Sequence, residues 1–363
     1  MAAPSAPPTD TVKVQDCIST FRPTRLFKAP PPSAFTSIDF DDSGEFLLLA
    51  RTDDTLQLFN ARAGGHAKEL KSHKYGCALA RFTHHSTSII YASTKVDDGI
   101  RYLSMHDNSF IRYFRGHTAR VTSLTLNPGT DQFMSASLDN TVKLWDCRSP
   151  NAQGQLNCES PWLTAYDPSA SVIAIAGTPA QVVFLYDLRN FDKPPFATFD
   201  LLEVEKRFQS RGQQPGLGWT GLEFSNNGKY LLLSTNGPGH YLLDAFSGDL
   251  VKYLYRPGGG DTSHYAPGFD FGEIQHSEGN TPSYVQTSAC FTPDGRYVIG
   301  GNGQENGLWV WDCEDSKSDK LLEPMTDLQS QKPAKVVAYN PRHNLVATAD
   351  KELMLWLPDP DSA

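Results

Sequence analysis

Several features that would mark other protein classes are scarce or missing. Six cysteines (17, 77, 147, 158, 290 and 313) are spread over 363 residues, never closer than eleven apart, and there is no Asn-X-Ser/Thr sequon. This usage predicts free thiols in a reducing intracellular compartment rather than a disulfide framework. Apolar runs stop after a few residues, which excludes a transmembrane helix. Residues 1–10 are rich in Ala, Pro and Ser, without the basic flank and apolar core of a secretory signal. Basic residues are outnumbered, 32 Lys and Arg against 41 Asp and Glu, giving a formal net charge of −9. A chain that gripped nucleic acid along its surface would need clustered positive charge, so no direct nucleic-acid contact is expected, and protein partners fit better.

Chemical motifs are missing as well. No G-x-S-x-G, H-E-x-x-H, C-x-x-C or phosphate-loop pattern occurs. The stretch from Asp39 to Gly44 imitates the start of a calcium loop, but Ala50 occupies the position that needs a bidentate acid. It reads as a hairpin turn. His84 and His85 are adjacent, and neighbours on a strand face opposite ways. No metal, cofactor or enzyme activity is expected.

Turns and large apolar side chains are abundant. Gly 28 and Pro 25, with Phe 20, Tyr 14 and Trp 6, favour an all-β chain. Short alternating strands close on a large residue at Phe59, Leu103, Trp145, Tyr186, Leu243, Trp311 and Trp356, at intervals of 44, 42, 41, 57, 68 and 45. Six positions before it, five of the seven units carry an acid: Asp53, Asp97, Asp139, Glu305 and Asp350, with Ala180 and Gly237 as exceptions. A four-stranded sheet needs about 40 to 45 residues, so each unit predicts one blade of a ring. Length alone, at about 150 residues per domain, suggests two or three domains or one large single-domain architecture. The seventh unit runs out of chain after three strands, and Thr24 to Lys28 can supply the fourth, closing the ring and covering two sheet edges. The predicted organisation is an N-terminal extension over 1–23, a seven-bladed β-propeller over 24–357 and a tail over 358–363. Two insertions, 200–218 and 257–284, are expected on one rim. The second carries Phe269 and Phe271, which fit either a solvated loop or a partner anchor.

The third unit, from Gly116-His117 to Trp145-Asp146, resembles the WD-repeat family, whose fold is a β-propeller. That resemblance implies a hydrogen-bonded structural set at His117, Ser135, Asp139 and Trp145. Longer strings are more specific. They include Lys95 to Ser104, His106-Asp107-Asn108, Ile111 to Phe114, Leu144 to Asn151, Tyr186 to Arg189 and Trp356-Leu357-Pro358. They resemble the WD-repeat subunits shared by COMPASS, the histone lysine-four methyltransferase complex, and by the cleavage and polyadenylation factor. This implies a non-catalytic nuclear scaffold that binds the N-terminal region of the methyltransferase subunit and subunits of the cleavage and polyadenylation factor, and that links to RNA polymerase II, whose phosphorylated tail is a further candidate partner. No membrane partner is implied. Similar strings, Asp146-Cys147-Arg148 and Asp187-Leu188-Arg189, also resemble the boxes by which substrate receptors meet cullin-RING ubiquitin ligases. Asp146, Arg148, Asp187 and Arg189 are the residues of that alternative, and each pair fits equally a strand end stabilised by its own charges.

One charge bias is local. Arg101, Arg112, Arg115 and Arg120 face only Asp107 between residues 101 and 129. With Asp98 they form a candidate partner-binding group, either an ordinary solvated edge or a site for an acidic or phosphorylated peptide.

Overall fold

The computed structural model describes residues 13–177, 180–208, 218–257, 288–301, 306–316 and 320–359. A short helix α1 (Val14–Cys17) leads into strand β1 (Phe21–Lys28). Blade 1 is formed by β2 to β5 (Phe35–Phe40, Phe46–Arg51, Thr55–Asn60, Gly65–Lys71), and blade 2 by β6 to β9 (Ala78–Phe82, Ser88–Ala92, Ile100–Ser104, Ser109–Phe114). Blade 3 comprises β10 to β13 (Val121–Leu126, Gln132–Ser137, Thr141–Asp146, Gly154–Asn157), and blade 4 β14 to β17 (Pro161–Tyr166, Val172–Gly177, Val182–Asp187, Ala197–Asp200). After helix α2 (Leu202–Phe208), blade 5 takes β18 to β21 (Trp219–Phe224, Tyr230–Thr235, Gly239–Asp244, Leu250–Tyr255). Blade 6 takes β22 to β24 (Ala289–Phe291, Tyr297–Gly301, Leu308–Asp312), while β25 (Leu321–Leu322) returns to blade 5 and β26 (Thr326–Leu328) completes blade 6. Blade 7 comprises β27 to β29 (Val336–Tyr339, Val346–Ala349, Glu352–Pro358) with β1 as its outer strand. The fold is a seven-bladed β-propeller.

Each blade buries both faces against its neighbours, and this explains the short alternating apolar strands. Seven core clusters correspond to the seven blade junctions, for example Leu48, Leu58, Ile89 and Leu103 between blades 1 and 2. The large residue closing each third strand lies in this core, from Trp356, fully buried, to Tyr186, 8% exposed. The acid six positions earlier shapes the turn in the first three blades. Asp53 accepts from the Thr55 hydroxyl at 2.7 Å, Asp97 from the Gly99 N–H at 3.1 Å and Asp139 from the Thr141 N–H at 3.0 Å. Glu305 lies outside the described residues.

The segment Asp41 to Gly44 is a turn. Its Gly44 has φ +71°, and its N–H donates to Asp41 O at 2.9 Å, a conformation that disfavours a side chain. β1 pairs antiparallel with β29 from Phe21 opposite Pro358 to Lys28 opposite Glu352. This strand starts three residues ahead of Thr24, and α1 precedes it with Cys17 and Ile18 packed in the junction of blades 6 and 7. The predicted extension over 1–23 therefore contributes core residues. Proline interrupts the alternation at Pro23, where the pairing with β29 shifts register, a position at which an edge strand tolerates the missing N–H. Of the insertion at 200–218, the described part is mainly α2. Glu205 on it is buried, accepting from Gln181 Nε2 at 2.7 Å and from Trp219 Nε1, which ties the helix to the blade 4–5 junction. The insertion at 257–284, with Phe269 and Phe271, lies outside the described residues apart from Pro257.

Candidate protein-docking surface on blades 2 and 3

Blade 3 holds a directional chain of hydrogen bonds. The Trp145 indole can only donate, and its Nε1–H reaches Ser135 Oγ at 2.8 Å. That leaves the serine hydroxyl to donate to His117 Nε2, 2.7 Å away, and the other ring nitrogen to donate to Asp139 Oδ2 at 2.9 Å. Burial holds the imidazole below its usual pKa, against the opposing pull of Asp139, so the ring stays neutral. Burial pushes the Asp139 carboxyl up, but bonds from Thr141, His117 and the Thr118 N–H outweigh it and keep it below the usual carboxylate range. The set links β11, β12 and the loop ahead of β10. Its role is to fix that loop.

Blade 2 solves the same problem with different residues. Tyr75 stands 28 residues before Leu103, as His117 stands 28 before Trp145. Arg101, 1% exposed, donates from Nε to Ser93 Oγ at 2.9 Å and from Nη2 to Asp97 Oδ1 at 2.5 Å. Its guanidinium carbon lies 4.0 Å from the Tyr75 ring centroid and 4.8 Å from that of Tyr113. Arg101 is therefore an internal strut, and the expectation that it meets a partner is corrected: it is buried, bonded to Ser93 and Asp97, and lies against two tyrosine rings of its own chain. Arg112 donates to the Cys147 carbonyl of blade 3. It lies on β9 opposite Tyr102 and is half-buried. Arg115 is exposed beyond the end of β9, while Arg120 and Asp98 are half-buried near the turns of Asp139 and Asp97. Burial raises the Asp98 carboxyl, helped by Asp97 and Asp139, with Arg120 opposing. The four arginines do not form one patch.

What the structure gathers instead is an aromatic group. Tyr75 and Phe110 are 5.7 Å apart between centroids, Phe110 and Tyr113 5.2 Å, and Tyr75 and Tyr113 6.5 Å. Lys74 lies 5.0 Å over Tyr75 and Arg115 5.8 Å over Tyr113. Sequence reading passed over Lys74, Tyr75, Phe110 and Tyr113, although the 28-residue spacing would have found Tyr75.

The two Trp-Asp-type boxes are locally engaged. Arg148 meets its own Asp146 with two bonds, 2.9 and 2.6 Å, and Asp187 caps a short 3-10 turn by accepting from the Arg189 N–H at 2.9 Å and from Asn190 at 2.7 Å. Among the described residues, no group of three or more His, Cys, Asp or Glu is placed to hold a metal ion, and no helix is long and apolar enough to cross a membrane.

Residues 108–146, which span β9 to β12, match the family described as WD domain, G-beta repeat. Relatives extend this to the whole ring. WD repeat-containing protein 82 of Drosophila melanogaster is 34% identical over 345 residues, 95% of this chain and 96% of that protein. Set1 complex component swd2 of Schizosaccharomyces pombe is 35% identical over 374 residues, 94% and 98% of the two chains. The chain belongs to this family of WD-repeat proteins. COMPASS component SWD2 of Saccharomyces cerevisiae is a further member, 34% identical over 89% of this chain and 91% of its own. These family members carry names of WD-repeat proteins and complex components, none of an enzyme or a ligase receptor, so the ubiquitin-ligase alternative has no support from them.

Proposed function

We propose that this protein is a non-catalytic scaffold subunit of a COMPASS-type histone lysine-four methyltransferase complex in the nucleus, docked on the N-terminal region of the methyltransferase subunit. In this reading the same ring also serves the cleavage and polyadenylation machinery in transcription termination. The observation that carries the proposal is similarity over nine-tenths of the chain to relatives named as Set1 complex and COMPASS components. A closed ring with seven packed junctions suits a docking role, because it presents loops on a rigid frame.

Affinity purification of the tagged full chain from nuclear extract tests it. The methyltransferase subunit is expected to copurify in stoichiometric amount, with cleavage and polyadenylation subunits in a separable pool. Recovery of a cullin adaptor in place of the methyltransferase overturns the scaffold assignment. Absence of the second pool overturns the dual role alone.

A further inference from the structure

Blade 5 is five-stranded, whereas every other sheet has four strands among the described residues. Its extra strand β25 runs parallel to β21, with Tyr253 opposite Leu321 and Leu254 opposite Leu322, and the Tyr253 N–H donates to Lys320 O at 2.6 Å. The outer strand of a blade in this ring thus accepts an extended segment along its open edge. Tyr253 lies ten residues after Leu243, and Tyr113 lies ten residues after Leu103. Both outer strands also shift register at the same step, between Leu242 and Leu243 in one blade and between Tyr102 and Leu103 in the other. The shared register turns the Tyr113 N–H toward the open edge of β9.

The side chains at this edge are unusual for a surface. Phe110 is 37% exposed and Ile111 46%, on the strand that carries Phe110 and Tyr113 of the aromatic group. Edge strands are ordinarily protected by charge, bulges or cover; β9 has one register shift and Asp107 just ahead of it, but the charges nearest its aromatic group are the cations Lys74 and Arg115. Arg101 is taken by Asp97, and Lys95 by Asp54. Lys74 and Arg115 rest on the tyrosine rings and have no carboxylate within ion-pair distance among the described residues.

We propose that β9 binds an extended segment of a protein partner as a fifth strand of blade 2, in the manner of β25 on blade 5. The segment presents acidic side chains to Lys74 and Arg115 and an apolar side chain to Phe110 and Ile111. Main-chain bonds along the edge give affinity, and the two cations select the sign of the charge. The site stands whichever complex the chain joins, because a two-component binding experiment reads it without the complex.

The test uses the full chain and two fluorescein-labelled peptides, one alternating valine and glutamate, the other valine and lysine, followed by fluorescence anisotropy. The glutamate peptide is expected to bind saturably and the lysine peptide at least about tenfold more weakly. The double variant Lys74→Glu with Arg115→Glu, at exposed positions and shown to be folded by its melting curve, is expected to reverse that preference. Hydrogen exchange on the unmodified protein should slow over residues 109–114 when the glutamate peptide is bound. Equal affinity for both peptides, no saturable binding, an unchanged preference in the folded double variant, or slowing confined to other strands would each overturn the proposal.

Discussion

Ser135 shows how much one hydroxyl can hold. It is fully buried and joins an indole donor to an imidazole acceptor. Ser135→Ala leaves both partners unsatisfied, and about 2 to 3 kcal/mol of stability should disappear in urea unfolding, with the loss shared by His117→Ala rather than added to it. Additive losses would mean that the four residues do not act as a unit. In blade 2 the comparable strut is Arg101, whose planar fork reaches Ser93 and Asp97 together while its guanidinium lies close to two tyrosine rings. Arg101→Lys keeps the charge but cannot make that fork, so a drop in melting temperature of several degrees is expected in place of a neutral exchange. The His117 set was legible because its four residues recur at known offsets. Arg101 was not, because four arginines in a short stretch look like a charged surface, and only the pleat decides which of them points inward. Successive residues of a strand face opposite ways, so Arg101 shares the face of Leu103, which lies in the junction of blades 1 and 2.

At the level of elements, the blades could be counted from strand ends, since burial on both faces forces a large apolar residue to recur in each third strand. Edges were harder to read. The start of β1 was hidden by Pro23, and β25 is only two residues long and pairs with a strand more than sixty residues earlier, which leaves no local pattern. The closing strand yields a sharp expectation. Removing residues 1–28 deletes all the pairing with β29 and takes Cys17, Ile18 and Phe21 out of the core, so the melting temperature should fall by more than about 10 °C. Calorimetry on the truncated chain checks this, and an unchanged melting temperature would mean that the ring closes without β1.

Across the whole molecule, neighbouring blades are also linked near the inner rim. Asn340 Nδ2 reaches from blade 7 to Gly44 O at 2.7 Å, and His84 of blade 2 bridges Asp42 of blade 1 at 2.6 Å and Asn127 O of blade 3 at 2.9 Å. Innermost strands also carry charge. Burial pushes Glu223 on β18 up to about 8, with the Phe291 N–H and Arg81 opposing, and raises Asp39 on β2 to about 6, with Arg81 and the Phe82 N–H opposing. The folded state then keeps a proton on Glu223 that the unfolded chain releases near its ordinary value of 4.5, so stability falls as pH rises from there to about 8 and levels off above. Glu223→Gln should therefore melt at the same temperature as the parent at pH 4 but gain about 2 kcal/mol at pH 8, less than the full shift would give because the side chain is only half-buried. An equal gain at both values would remove the proton from the explanation. Closure by β1 also imposes an order in time. Thr24, whose hydroxyl bonds Leu355 O at 3.0 Å, leaves the ribosome 331 residues before its partner. At about 5 to 20 residues per second, that strand waits from about a quarter of a minute to about a minute with no sheet to join. Among the described residues the first strand made is the last to be paired, and until then the nascent ring has an open seam that a chaperone or an early partner can occupy.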